Sequence, residues 1–114
     1  MITMYGIPNC DTIKKAKKYL SDNNIEFTFH DYRKDGVSEE LVTEFCKSLG
    51  WEQVLNKRGT TYRALSDDEK SNLSETTAIT HLVAAPAMIK RPIIEVNGQL
   101  HLGFKAAQYD EIFA

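Results

Sequence analysis

A mixed α/β fold is predicted for this 114-residue chain by three observations. Short β-favouring runs stand near both ends, Ile2 to Tyr5 at the start and Ile93 to Val96 with Leu100 to Leu102 at the finish. The first run is followed by apolar residues at helical spacing and then by an alternating run, a β-α-β unit of about 30 residues. Between that unit and a β-β-α tail, positions from about 37 to 86 carry only helical patterns.

In the first unit, Gly6, Pro8 and Asn9 form a turn, and Ile13, Ala16 and Leu20 then recur at the 3.6-residue period. The helix therefore begins one residue after Cys10. Asp22-Asn23-Asn24 ends it, and Ile25, Phe27 and Phe29 alternate with polar residues through His30 to Tyr32 as a second strand. Strands joined by a helix lie parallel with a right-handed crossover, so Cys10 is expected at the carboxyl end of the first strand, where functional loops gather.

In the insert, Ser38-Glu39-Glu40 reads as a helix start, Leu41, Val42, Phe45 and Leu49 make an apolar stripe, and Gly50 stops it. Trp51 to Leu55 is a short helix, Asn56 to Thr61 a polar segment, and Ser66 to Asn72 and Ser74 to Val83 two further helices. Asn97-Gly98 between the last two strand runs is a strong hairpin signal, and a helix over Lys105 to Phe113 closes the chain. The order, a mixed sheet with helices on both faces in one domain over 1–114, is the thioredoxin-like arrangement.

Composition narrows the partners. A hydrophobic content of 42%, with five Phe, five Tyr and one Trp, suffices for a core. Fourteen basic against sixteen acidic residues leave a net charge of −2, which gives no field to attract nucleic acid or an anionic membrane surface. The longest apolar run, Leu82 to Ile89, contains Pro86 and is far short of the roughly 20 residues that span a bilayer. No secretory signal pattern opens the chain, so a cytoplasmic, reducing location is expected. Three histidines, at 30, 81 and 101, have no ligand spacing with the cysteines, so neither a metal nor a bound cofactor is expected.

Two cysteines remain, with different surroundings. A free cysteine is often a small buried hydrophobe, but Cys10 is flanked by the surface and turn residues Pro8, Asn9 and Asp11. At a helix start, unpaired backbone N–H groups and the dipole favour its thiolate and lower its pKa. Asp11 opposes ionisation, while Lys14, one turn on, and arginines from elsewhere offset it. Ile13 stands where C-x-x-C would have its second cysteine. A mixed disulfide at Cys10 must then be resolved by glutathione, a partner or a distant thiol. Cys46, beside Phe45 in an apolar stripe, reads as core packing. Arg91 reads either as a strand-edge charge or, since an X-Pro bond at that point of a thioredoxin-like chain is commonly cis, as a residue set across from the thiol. Lys57, Arg58 and Arg63 read as a solvated loop, and Lys14, Lys15, Lys17 and Lys18 as the wet face of the first helix.

Four ordered segments, Tyr5-Gly6-Ile7-Pro8-Asn9-Cys10-Asp11-Thr12, Asn56-Lys57-Arg58-Gly59-Thr60-Thr61, Ile89-Lys90-Arg91-Pro92-Ile93-Ile94 and Leu102-Gly103-Phe104, resemble the ArsC/Spx/YffB family over nearly the whole chain. The resemblance implies a thioredoxin-like fold with a helical insert, Cys10 as nucleophile, and Arg91 with a cis Pro92 facing it. In the glutaredoxin-coupled arsenate reductases of that family a histidine stands four positions before the nucleophile, and further arginines hold the oxyanion; here those positions fall on Gly6, on Asn56 with Arg58 nearby, and near Gly103 with Lys105 as the nearest cation. Spx proteins bind RNA polymerase and typically carry C-x-x-C and a longer tail, whereas this chain has Ile13 and stops at Ala114. The expected function is a glutathione-dependent thiol/disulfide reductase acting as a single copy on a small-molecule or protein disulfide. Cys10 and Arg91 are its candidate catalytic residues, and Asn9, Thr12, Lys14, Arg58 and Pro92 are candidates for holding glutathione or substrate. The alternatives are a glutaredoxin-coupled arsenate reductase and an Spx-like, non-catalytic polymerase-binding regulator.

Overall fold

Four strands form one mixed sheet in the order β2-β1-β3-β4. In this computed structural model, which describes residues 1–114, β1 spans Ile2–Gly6, β2 Thr28–Asp31, β3 Ile93–Val96 and β4 Gln99–Leu102. β1 pairs parallel with β2, Thr3 beside Thr28 and Gly6 beside Asp31, and antiparallel with β3, Met4 beside Ile94. β3 and β4 form the hairpin. Its two loop residues, Asn97 and Gly98, lie at φ +51° and +88°, the left-handed pair that a two-residue turn of this twist demands. The chain divides into two compact units, residues 1–32 with 91–114, and residues 33–90.

In the first unit, α1 (Asp11–Asp22) turns Ile13, Ala16 and Leu20 onto the sheet face carrying Met4 and Ile94, where Tyr109 of α8 (Ala106–Ile112) completes a fully buried cluster. Each aliphatic side chain buried there contributes about 1.5–3 kcal/mol. Tyr109 meets the rings of Tyr19, Phe104 and Phe113 edge-on at 5.5, 4.6 and 5.8 Å, a favourable aromatic geometry that ties α8 to α1. The Tyr19 hydroxyl also donates to Asp110. Lys14, Lys15 and Lys18 are exposed, but Lys17 is half-buried, its Nζ 3.7 Å above the Phe29 ring. That lysine therefore leaves the wet face assigned to it.

The second strand is shorter than its alternation predicts at both ends. After α1 the Ile25 N–H donates to the Leu20 carbonyl at 2.9 Å, so this residue is tied to the helix end and not to β1. At the other end β1 offers no partner beyond Gly6, and Tyr32 opens a single helical turn, α2 (Tyr32–Asp35). Alternating polarity survives here because Ile25, Phe27 and Phe29 still pack against the core, with or without ladder hydrogen bonds.

The second unit is helical. α3 (Glu39–Leu49) is capped by Ser38, whose Oγ accepts from the Leu41 N–H, and Gly50 at φ +88° ends it. α4 (Trp51–Val54) follows, then α5 (Thr60–Arg63), a single turn that the sequence pattern reads as loop because it has no apolar pair at helical spacing such as Trp51 and Val54 give α4. α6 (Asp67–Ser71) and α7 (Glu75–Ala84) each begin with a capping box, Ser66 with Glu69 and Ser74 with Thr77. A 3-10 turn at Pro86–Met88 leads to Ile89, which bridges Leu55. Hydrogen bonds from Asn56 N–H to Met88 and from Lys90 N–H to Val54, both 2.8 Å, clamp that bridge.

Candidate functional site

Cys10 occupies the N-cap of α1 in extended backbone, φ −130° and ψ 127°, and its carbonyl accepts the first helical hydrogen bond, from Lys14 N–H at 3.0 Å. Extended backbone at the cap follows from the sequence: β1 runs into Gly6-Ile7-Pro8-Asn9, and proline cannot donate to a ladder. Ile7 is buried and pins the turn, while Pro8 and Asn9 are exposed and Cys10 is half-buried.

The largest influence on the Cys10 thiol is its partial burial, which opposes ionisation. The Ile13 N–H, a hydrogen bond from the Arg91 side chain, the Thr12 N–H and the Arg91 charge together outweigh it, so the pKa lies below the ordinary thiol value. Lys14 and Asp11 are exposed on the first turn and are not among the groups that shift the sulfur. The offsetting cation is Arg91. Of the sequence-predicted residues, Cys10, Thr12 and Arg91 thus converge on the sulfur; Asn9 and Lys14 lie on the exposed rim of the same turn.

Arg91 arrives from the far end of the chain because β3 runs antiparallel to β1, so that the two residues preceding β3, Arg91 and Pro92, meet the end of β1. The Arg91-Pro92 peptide bond is cis, Pro92 is buried, and its carbonyl accepts from Gly103 N–H at 2.8 Å, closing the hairpin's open end. Gly6 fixes how closely these parts approach. A Cβ there would stand 2.4 Å from Ile13 Cδ1 and 3.6 Å from Arg91 Cβ. Any side chain at that position, histidine included, has to displace the buried Ile13. The absence of Cβ lets α1 press its first turn against the end of β1.

Arg58 belongs to the second unit, exposed after α4; its N–H donates to Asn56 Oδ1 at 3.1 Å. Asn56 therefore shapes the turn that carries Arg58 and Gly59. Cys46 is 2% exposed on the buried face of α3 with Val42 and Phe45, and burial, with Glu75 adding to it, pushes its thiol up to about 11. No three His, Cys, Asp or Glu side chains gather in a metal-holding group.

Sequence reasoning missed two contributors. The sequence shows Gly6 as a turn former at the position where the resemblance calls for a histidine, but the close approach it permits is invisible without the packing of Ile13. Tyr32 was read as the last residue of a strand, and it sits fully inside the fold beside the end of β1. The alternation gave no signal for it, since it sets Tyr32 with His30 on the face opposite Ile25, Phe27 and Phe29.

The chain and its fold are similar to those of known proteins. A family model described as the ArsC family matches residues 5–112. A solved structure named YffB superimposes with a TM-score of 0.96 at 40% identity, covering all of both chains. The solution structure of an arsenate reductase (ArsC) related protein from Brucella melitensis matches at 48% identity and TM-score 0.80, over 98% of this chain and 93% of its own. A curated relative, the global transcriptional regulator Spx 2 of Lactococcus lactis, is 30% identical over 91% of this chain and 80% of its own length. Matched from the strand before the thiol to the last helix, the chain belongs to the ArsC family.

Proposed function

We propose that the protein is a cytoplasmic, glutathione-dependent thiol/disulfide reductase with Cys10 as its single nucleophile. The observation that carries this reading is a half-buried thiol at the N-cap of α1, at the sheet end to which antiparallel β3 brings Arg91, a setting that holds its pKa below the ordinary value. The Cys10 thiolate attacks a disulfide sulfur of the substrate, the substrate S–S bond breaks, and the departing thiolate takes the electron pair. A glutathione thiolate then attacks the substrate-derived sulfur of the mixed disulfide, a glutathione–substrate S–S bond forms, and the bond to Cys10 breaks, returning its thiolate. Arg58 is the proposed carboxylate partner for glutathione, and Asn9, Thr12 and Lys14 frame the approach to the sulfur. A small disulfide or a protein disulfide fits this chemistry equally.

Exposure to oxidised glutathione followed by intact-mass and peptide mass spectrometry tests the reading. One adduct at Cys10, removed by reduced glutathione, is expected; Cys10→Ser abolishes turnover and Cys46→Ser keeps most of it. Equal loss in both variants replaces the reading with an internal Cys10/Cys46 couple. Arsenate reduction ranks lower because a multiply charged oxyanion needs planar arginine forks, and Gly6, Asn56 and Gly103 stand where the family resemblance calls for a histidine and two arginines. A second reading, a regulator that binds RNA polymerase, draws support from the Spx relative. Stoichiometric retention of polymerase on the immobilised protein, with no thiol turnover, establishes it.

A further inference from the structure

Four lysines stand on α1, at 14, 15, 17 and 18, against Asp11 and Asp22, a net +2 on this helix in a chain whose net charge is −2. Their side chains have different fates. Lys18 Nζ pairs with Asp22 Oδ2 at 3.0 Å, and Lys17 is half-buried with its Nζ 3.7 Å above the Phe29 ring. Lys14 and Lys15 are exposed, and neither ammonium has an ion-pair, hydrogen-bond or ring partner. The two uncommitted cations are therefore the two nearest the thiol.

Position aims Lys14 in particular. Its N–H donates to the Cys10 carbonyl at 3.0 Å, so it stands one turn after the cap and on the same side of the helix. Helical side chains lean toward the N-terminus, which carries a lysine's ammonium over the turn preceding its own Cα, here the turn that begins at Cys10. Asp11, the one acid in the first turn, is exposed and opposes the two lysines with a single charge. Asp31, beside Gly6 at the same end of the sheet, already has a partner. The approach to the sulfur thus carries an excess of positive charge that the fold leaves uncompensated.

We infer that Lys14, with Lys15 behind it, is a specificity-determining residue that favours disulfides carrying carboxylates near the S–S bond and disfavours cationic ones. This rests on Cys10 being the reactive thiol of the proposed function, and it goes further by naming the class of disulfide that the thiol takes. The step selected is the first: the Cys10 thiolate bonds to one substrate sulfur, the substrate S–S bond breaks, and the electron pair leaves on the other thiolate. Lys14 is not among the groups that shift the sulfur, so its means of action is the approach of the substrate, a steering that salt screens.

The test measures second-order rate constants of Cys10, in a Cys46→Ser background, with dithiodiglycolate (a dianion), hydroxyethyl disulfide (neutral) and cystamine (a dication). The readout is the dianion-to-dication rate ratio compared between variants, in which the intrinsic reactivity of each disulfide cancels. Lys14→Gln/Lys15→Gln should lower that ratio roughly 5–10-fold at low ionic strength and move the neutral disulfide less than about twofold, and about 0.5 M salt should erase the difference from wild type. Asp11→Asn should raise the ratio roughly 2–4-fold. Lys18→Gln/Asp22→Asn, which deletes a pair without net charge, should leave it unchanged. A ratio that the lysine double variant and salt both leave in place overturns the inference while the reductase reading stands. A rate loss shared equally by all three disulfides marks a change in the thiol itself and also overturns it. No reaction of Cys10 with any of the three overturns both readings, whereas charge-selective adducts that glutathione fails to release uphold the inference and sink only the reductase.

Discussion

Gly6→Ala is the sharpest probe of how the site is built, because one methyl group tests packing and chemistry together. The added Cβ would stand 2.4 Å from Ile13 Cδ1 and 3.1 Å from Ile13 Cγ1, against ordinary contacts that begin at 3.4 Å. Ile13 has nowhere to retreat: it is fully buried among Met4, Ala16, Leu20, Ile94 and Tyr109. Relieving an overlap of about 1 Å requires an off-rotamer Ile13 or a shift of the first turn of α1, an overpacking cost of about 1–3 kcal/mol. For a domain of this size that lowers the melting temperature by roughly 4–12 °C. Because the Ile13 N–H is one of the groups that favour the Cys10 thiolate, the same shift should raise the thiol pKa, read from the pH dependence of iodoacetamide alkylation. Ile13→Val removes Cδ1, and alone it costs about 0.5–1.5 kcal/mol. In the double variant the alanine methyl occupies the space left, so Gly6→Ala/Ile13→Val should be more stable than Gly6→Ala. Two changes in direct contact are expected to be non-additive. A Gly6→Ala protein that melts with the wild type, or two costs that simply add, would refute the close-approach argument.

Other outcomes follow from the same geometry. Arg91→Met should raise the Cys10 pKa, since it removes both a hydrogen bond and a charge, and the alkylation profile should move to higher pH; an unmoved midpoint would show that the helix amides suffice alone. In wild type at neutral pH, iodoacetamide should label Cys10 and spare Cys46, whose thiol is buried and pushed up to about 11. The two thiols also act oppositely on stability. The lowered Cys10 pKa contributes stability above its unfolded value that is lost as pH falls through the folded one, and the raised Cys46 pKa contributes stability below its unfolded value that is lost as pH rises toward about 11. Cys46→Ala should therefore flatten the alkaline side of a melting-temperature profile. Tyr109→Phe should stabilise the protein by about 1 kcal/mol, measured by urea unfolding, since it removes an unpaired buried hydroxyl and leaves the three edge-on ring contacts.

The order of elements was legible because each signal is local. Helical spacing of Ile13, Ala16 and Leu20, the Ser38 cap, the Gly50 stop and the Asn97-Gly98 turn depend on residues within a few positions of one another, and all appear where the pattern placed them. Cys10 at a helix start is a local fact of the same kind. Short turns such as α2 and α5 escape because, unlike α4 with Trp51 and Val54, they carry no apolar pair at helical spacing, and the second strand is overcounted because alternation records burial, not pairing.

By itself, then, the chain's sequence determined which elements form and which sulfur stands at a helix start. Spacing and periodicity left open what charge faces that sulfur; the family resemblance implied Arg91, and the tertiary structure shows how it gets there. Lys14, near in sequence, is exposed and plays no part in its shift, while Arg91, some eighty residues away, donates a hydrogen bond to it because β3 returns antiparallel beside β1. Gly6 gains its meaning in the same way. Contact across a sheet is set by register and by the exclusion of overlapping atoms, and neither leaves a periodic mark on the residues that end up touching.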